Sequence, residues 1–237
     1  MNRDLRATTG RVRATAGRLR SPGYDARMRI DDEAVTWSAS PADRAGRPLL
    51  VLLHGYNSHE GDLFGLSPYL PLEPAIASLR APIATGYGHA WFPLLVQGEE
   101  FAMTGAEEAT TAVIEWLDRV APGEASVGLL GFSQGGAMAL ELLRRAPDRF
   151  AFAVSLAGFA LPGTRAGDER MAELAPPVFW GRGTADEVIP TTSVDRTQQW
   201  LPAHASLDQR VYEGLGHSVS DREIGDVRAF LAARYAA

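Results

Sequence analysis

The chain has no cysteine in its 237 residues, which excludes a disulfide framework, a thiolate zinc site and a cysteine nucleophile. It has no lysine either: all 23 basic residues are arginine, a usage that fits a coding bias running through the whole chain. No apolar run approaches the roughly 20 residues that a transmembrane helix requires. An excess of positive charge is missing too, since a net charge of −6 and a pI near 5.4 give no global attraction to nucleic acid or acidic membranes. A soluble, cytoplasmic protein without a nucleic-acid partner is expected. Internal repeats and low-complexity tracts are absent as well.

What is present is core-forming sequence. With 46% hydrophobic residues the chain can bury one large core, and α/β domains commonly reach this size undivided. Residues 28–237 are expected to form that domain. Residues 1–27 read as an Arg-rich, poorly ordered tail or a misplaced start. Eight arginines lie between Arg3 and Arg29 against only Asp4 and Asp25, a faint likeness to an organelle transit peptide without the apolar core of a secretory signal.

The pivotal stretch is Leu129-Leu130-Gly131-Phe132-Ser133-Gln134-Gly135-Gly136-Ala137-Met138-Ala139-Leu140. An apolar run from Ser126 to Phe132 meets strong helix formers from Ala137 onward, so a strand turns into a helix with almost no loop. Gly-x-Ser-x-Gly at such a turn supplies small residues two before and two after the serine, where backbones must pass closely. Ser133 is then held at the carboxyl end of a strand, and the helix starting at Gln134 aims its free N–H groups at the same spot.

Around this unit, strands and helices alternate. Arg29–Asp31 and Glu33–Ser38 read as one or two edge strands, and Pro48–Leu53 as a central parallel strand because it is continuously apolar. A helical patch follows around Asp62–Leu66, then a strand candidate at Ala75–Pro82, broken by its proline, and an irregular aromatic stretch from Thr85 to Pro93. From about Thr104 a helix is predicted, with Ala109, Val113, Leu117 and Val120 on its packing face and Pro122-Gly123 as its stop. Phe150–Leu156, Pro177–Gly181 and Leu207–Tyr212 read as strands, and Gly158–Pro176 as a short loop that leaves no room for a large lid domain. Thr191–Leu201 and Asp221–Tyr235 read as helices. The second starts at a Ser220/Glu223 capping box and packs through Ile224, Val227, Phe230 and Leu231. The fold class is α/β, a mostly parallel sheet with helices on both faces.

A serine hydroxyl is a weak nucleophile and needs a base and a group that orients the base. Asp186 follows the Pro177–Gly181 strand and His217 follows the Leu207–Tyr212 strand, so with Ser133 all three fall beyond strand carboxyl ends, in the chain order Ser, Asp, His. Asp168, Asp195 and Glu187 are rival acids. His54-Gly55 ends the Pro48–Leu53 strand, where the backbone N–H of Tyr56 would join that of Gln134 as an oxyanion hole. His54 reads as a loop-structuring residue and His59 as a solvent histidine. The spacing of His54, His59 and Glu60 matches no helix-borne zinc motif, so no metal and no cofactor is expected. Phe64, Leu66, Trp91, Phe92, Phe159 and Leu161 are candidates to line an apolar substrate pocket.

Taken together, Leu53-His54-Gly55, Asp62-Leu63-Phe64, Trp91-Phe92, Gly131-Phe132-Ser133-Gln134-Gly135-Gly136, Gly183-Thr184-Ala185-Asp186 with Val188-Ile189-Pro190, and Gly216-His217 resemble the phospholipase/carboxylesterase family of α/β-hydrolases, which includes acyl-protein thioesterases. The resemblance spans roughly positions 45–235. It implies an eight-stranded core sheet and hydrolysis of carboxylic esters or thioesters, with Ser133, Asp186 and His217 as triad. One departure stands out: the family often carries a glycine-containing loop after His-Gly, and this chain has Tyr56-Asn57-Ser58. A small-molecule ester or thioester substrate is expected. A serine peptidase or amidase on the same scaffold, and a non-catalytic binding protein of the same fold, are the alternatives.

Overall fold

The computed structural model describes residues 27–94, 99–121 and 126–236. The tail before Arg27 and the Pro122-Gly123 helix stop lie outside the described residues. Inside the main sheet lies β2 (Leu49–Leu53), every residue of which is buried. Its neighbours are β3 (Ala75–Leu79) on one side and β6 (Val127–Phe132) on the other, both parallel to it. The sheet continues from β6 through β7 (Phe152–Leu156), β8 (Pro177–Gly183) and β9 (Ser206–Tyr212), all parallel, and ends at the other edge in the two-residue antiparallel strand β1 (Thr36–Trp37). A separate antiparallel ribbon pairs β4 (Ile83–Ala84) with β5 (His89–Ala90).

Alternate residues of the central strands point to opposite faces, and both faces are covered, which is why those strands are apolar throughout. Leu49, Val51, Leu53, Val127 and Leu129 pack with α2 (Glu99–Val120) and α3 (Gln134–Arg145). Leu50, Leu52, Leu130, Val154 and Phe179 face the other way, against Leu63 of α1 (Glu60–Phe64) and Val227, Phe230 and Leu231 of α6 (Asp221–Tyr235). The expected capping box is present, with Ser220 Oγ accepting the Glu223 N–H at 3.2 Å. Two further helices, α4 (Asp168–Leu174) and α5 (Thr191–Trp200), flank β8. Among the described residues no helix is long and apolar enough to cross a membrane.

Several expectations change. The described residues form a seven-stranded main sheet rather than the eight strands the resemblance implies. Only Thr36–Trp37 of the N-terminal stretch pairs into it, while Asp32–Ala34 is a 3-10 turn, because Asp31 accepts the Glu33 N–H and starts a turn there. The Gly158–Pro176 loop contains α4. The helical patch begins earlier than read, at Glu60, where the His59 ring accepts the Gly61 N–H as a cap. Val120 is exposed at the last turn of α2 and does not share the buried face of Ala109, Val113 and Leu117.

Candidate active site

The strand-to-helix turn puts Ser133 at φ 54° and ψ −117°, a strained conformation for a side-chain-bearing residue. Its glycines are required by close backbone approach. A Cβ on Gly131 would lie 2.1 Å from the Gly135 carbonyl oxygen, and one on Gly135 would lie 1.8 Å from that of Leu53. Ser133 itself is tied to β7, its N–H donating to the Leu156 carbonyl at 2.8 Å.

His217 Nε2 lies 2.9 Å from Ser133 Oγ, and His217 Nδ1 lies 2.8 Å from Asp186 Oδ2. The second Asp186 oxygen, Oδ1, accepts the N–H groups of Val188 and Ile189 at 2.9 and 3.1 Å, so the carboxylate is aimed by its own turn. The imidazole is held from the side by Phe132, whose ring centroid is 4.9 Å away. With Asp186 against Nδ1, the neutral ring carries its proton there and leaves Nε2 free to accept the Ser133 proton. The rival acids lie elsewhere: Asp168 is buried against Arg144, and Asp195 and Glu187 are exposed.

The loop after β2 is built on His54, which is fully buried. His54 Nδ1–H donates to the Gly55 carbonyl at 2.7 Å and Nε2 accepts the Ala81 N–H at 3.1 Å, a pattern only the neutral ring can make. Burial also pushes its pKa below the ordinary histidine value. Ser133, Tyr56 and Gln134 border one cavity, and Gln134 is the first residue of α3, whose leading N–H groups have no intrahelical acceptor. Asn57 stands at φ 60°, in the left-handed region. His59 caps α1, and Glu60 is ion-paired with Arg80, which holds its carboxyl down at about 2.

Residues 36–235 match the phospholipase/carboxylesterase family. The chain belongs to the phospholipase/carboxylesterase family. It is similar to acyl-protein thioesterase 1 of Eremothecium gossypii, 27% identical over 216 residues that cover 82% of this chain and 89% of the relative. It is also similar to carboxylesterase SOBER1 of Arabidopsis thaliana, 24% identical with 71% of this chain and 76% of that one covered. Among solved structures, the Bacillus cereus carboxylesterase shares the fold, with a TM-score of 0.70 at 19% identity over 84% of this chain and 93% of that one.

Like the fold, the cavity of this phospholipase/carboxylesterase family member follows from the strand ends. It measures about 450 Å³ and its walls are mainly apolar, with Phe92, Leu94, Phe132, Phe159, Val188 and Ile189 among them and Asp62 at one side. Of the six pocket candidates, Phe92 and Phe159 line it. The other four do not. Trp91 and Leu161 are core residues, at 0% and 1% exposure, and Phe64 and Leu66 pack on the opposite face of the sheet with the α6 cluster. The sequence could not separate them, because an aromatic or leucine beside a site is as apolar in the core as in a pocket wall. Leu94, Phe132 and the Val188–Ile189 pair are wall residues that the sequence reading missed, although Phe132 and Val188–Ile189 sit inside the motifs around Ser133 and Asp186.

Proposed function

We propose that this chain is a serine hydrolase that cleaves small-molecule carboxylic esters or thioesters through an acyl-enzyme, within one domain formed by residues 28–237. Ser133 is the nucleophile, His217 the general base and acid, and Asp186 the group that orients the imidazole. Ser133 Oγ attacks the carbonyl carbon while its proton passes to His217 Nε2. The tetrahedral oxyanion is received by the N–H groups of Tyr56 and Gln134. As the carbonyl re-forms, the bond to the alcohol or thiol breaks and His217 returns the proton to the leaving group. Water then repeats the sequence on the acyl-serine, releasing the carboxylic acid and free Ser133.

The observation that carries this reading is the unbroken chain of hydrogen bonds from Asp186 through His217 to Ser133, at 2.8 and 2.9 Å, opening on a mainly apolar cavity. The names of the relatives support the ester and thioester class. The test is a panel of p-nitrophenyl esters graded by acyl length, run beside matching thioesters and anilides. Turnover of esters or thioesters is expected, with Ser133→Ala folded and slower by at least about a thousandfold. Parent-like turnover in Ser133→Ala would remove Ser133 from the mechanism, and faster anilide than ester cleavage would move the assignment to an amidase.

A further inference from the structure

Asn57 carries out two tasks. Its backbone holds φ 60°, which asparagine tolerates better than most side-chain-bearing residues. Its side-chain Oδ1 accepts the Thr85 hydroxyl at 2.6 Å and the Tyr87 N–H at 3.2 Å. Both partners lie in the turn that joins β4 to β5, and the Thr85 N–H closes that turn on the Gly88 carbonyl at 2.8 Å. The turn also lies directly on the loop: a Cβ on Gly88 would come within 2.5 Å of the Ser58 carbonyl oxygen, and the His89 N–H donates to that same oxygen at 2.8 Å.

Downstream, the ribbon is tied to the other half of the site. The Trp91 N–H donates to Gln134 Oε1 at 2.9 Å, and Gln134 Nε2 donates to the Phe92 carbonyl at 2.6 Å. Trp91 Nε1–H returns to the His54 carbonyl at 2.8 Å. A closed circuit of hydrogen bonds thus runs from the Tyr56 loop through Asn57 to the ribbon, through Trp91 and Phe92 to Gln134, and back to the start of the loop.

We infer that the β4–β5 ribbon is a spacer that sets the distance between the two oxyanion donors, with Asn57 as the positioning residue that clasps it to the Tyr56 loop. The inference rests on the serine-hydrolase reading above. An oxyanion-hole donor acts only if it sits at hydrogen-bond distance from the oxygen of the tetrahedral species, and removing one costs about 10²–10³ in rate. Loosening its support misplaces the donor without deleting it, so a smaller loss is expected, roughly tenfold, and it should fall on kcat.

The experiment uses Asn57→Gly, which keeps the left-handed backbone and deletes the clasp, and Thr85→Val, which deletes the facing hydroxyl at nearly constant shape. Thr85→Ser and the Asn57→Gly/Thr85→Val double variant complete the set. For each, kcat and KM on a neutral ester, the affinity for an alkyl trifluoromethyl ketone and the melting temperature are measured, because that ketone forms the oxyanion at Ser133. We expect both single variants to lose about tenfold in kcat with KM within about threefold, and to bind the ketone more weakly by the same factor. The double variant should be no slower than the slower single one, and Thr85→Ser should stay near the parent. Parent-like kcat in either single variant, a loss confined to KM, losses that multiply in the double variant, or unchanged ketone affinity would overturn the inference. Failure of an active-site phosphonate to label the parent at Ser133 would instead sink the hydrolase reading on which it rests.

Discussion

Asp186 uses both of its carboxylate oxygens, one on His217 and the other on the N–H groups of Val188 and Ile189. An amide in its place could not serve both sets of donors, because its –NH₂ end would face either the imidazole N–H or the two backbone N–H groups. Asp186→Asn should therefore fold, bind ester and lose about 10⁴-fold in kcat, as expected when the imidazole is held in the wrong tautomer. Asp195→Asn should leave the rate unchanged, since Asp195 is exposed on α5. Steady-state kinetics on both variants checks the assignment, and a large loss in Asp195→Asn with none in Asp186→Asn would reverse it. At this scale the sequence left Asp168, Asp195 and Glu187 as rivals. Glu187 shares the loop of Asp186, Asp168 opens α4 and Asp195 lies within α5, all places where acids are common, and only the position of the imidazole separates them.

The elements that carry the site are joined to the rest of the fold by Arg144, which the apolar pattern of α3 did not mark for burial. It is 1% exposed, paired through Nε and Nη2 with both Asp168 oxygens at 2.8 Å and through Nη1 with Glu141 at 2.7 Å, while its guanidinium lies 4.6 Å from the Trp200 ring centroid. Its remaining donors meet the Leu161 and Gly163 carbonyls at 3.2 and 2.8 Å. One residue thus connects α3, which follows Ser133, with the loop after β7, α4 and α5. Asp168→Asn would leave the buried Arg144 with Glu141, itself shared with Arg165, as its remaining counter-charge, a loss of about 3 kcal/mol, the low end for a broken buried pair. Thermal denaturation should show a melting temperature lower by about 10 °C, at the usual 2–4 °C per kcal/mol for a domain of this size. The fraction still folded should label with phosphonate at the parent rate. Slower labelling with an unchanged melting temperature would mean that Asp168 acts on the site instead.

Over the whole molecule, stability should depend on pH through Glu223. It is 1% exposed in the first turn of α6, with Oε1 lacking a partner and aimed at β8, so that a Cβ on Gly181 would lie 2.1 Å from it. Burial, with Asp226 adding to it, pushes its pKa up to about 7 against the pull of the Ser220 N–H. A raised carboxyl pKa means that the folded state binds the proton more tightly than the unfolded chain. The stabilising contribution is complete below the ordinary value near 4.5 and is lost as pH rises through about 7. Glu223→Gln keeps the shape and the acceptor for the Ser220 N–H and removes the titration. It should match the parent near pH 4.5 and exceed it at pH 8 by up to about 3 kcal/mol, since each pKa unit corresponds to about 1.4 kcal/mol. Denaturant unfolding of both proteins at those two pH values measures the difference, and parallel stabilities across the range would show that Glu223 does not titrate in the fold.

The α/β layering is legible in the residues alone, because strands buried on both faces must be apolar without alternation, as Leu49–Leu53 and Val127–Phe132 are. The turn at Ser133 is likewise legible there, since only glycines can occupy positions where a Cβ would meet backbone within about 2 Å, as at Gly131 and Gly135. Long-range packing settles which apolar side chains face the cavity, how many strands the main sheet of the described residues holds, and that Asn57 binds the β4–β5 turn while Gln134 binds Trp91 and Phe92 just beyond it. Those outcomes depend on contacts between residues far apart in the chain, and composition and spacing report only on neighbours. Thr85 and Asn57 lie 28 positions apart, and no local periodicity links a hydroxyl in one turn to an amide in another.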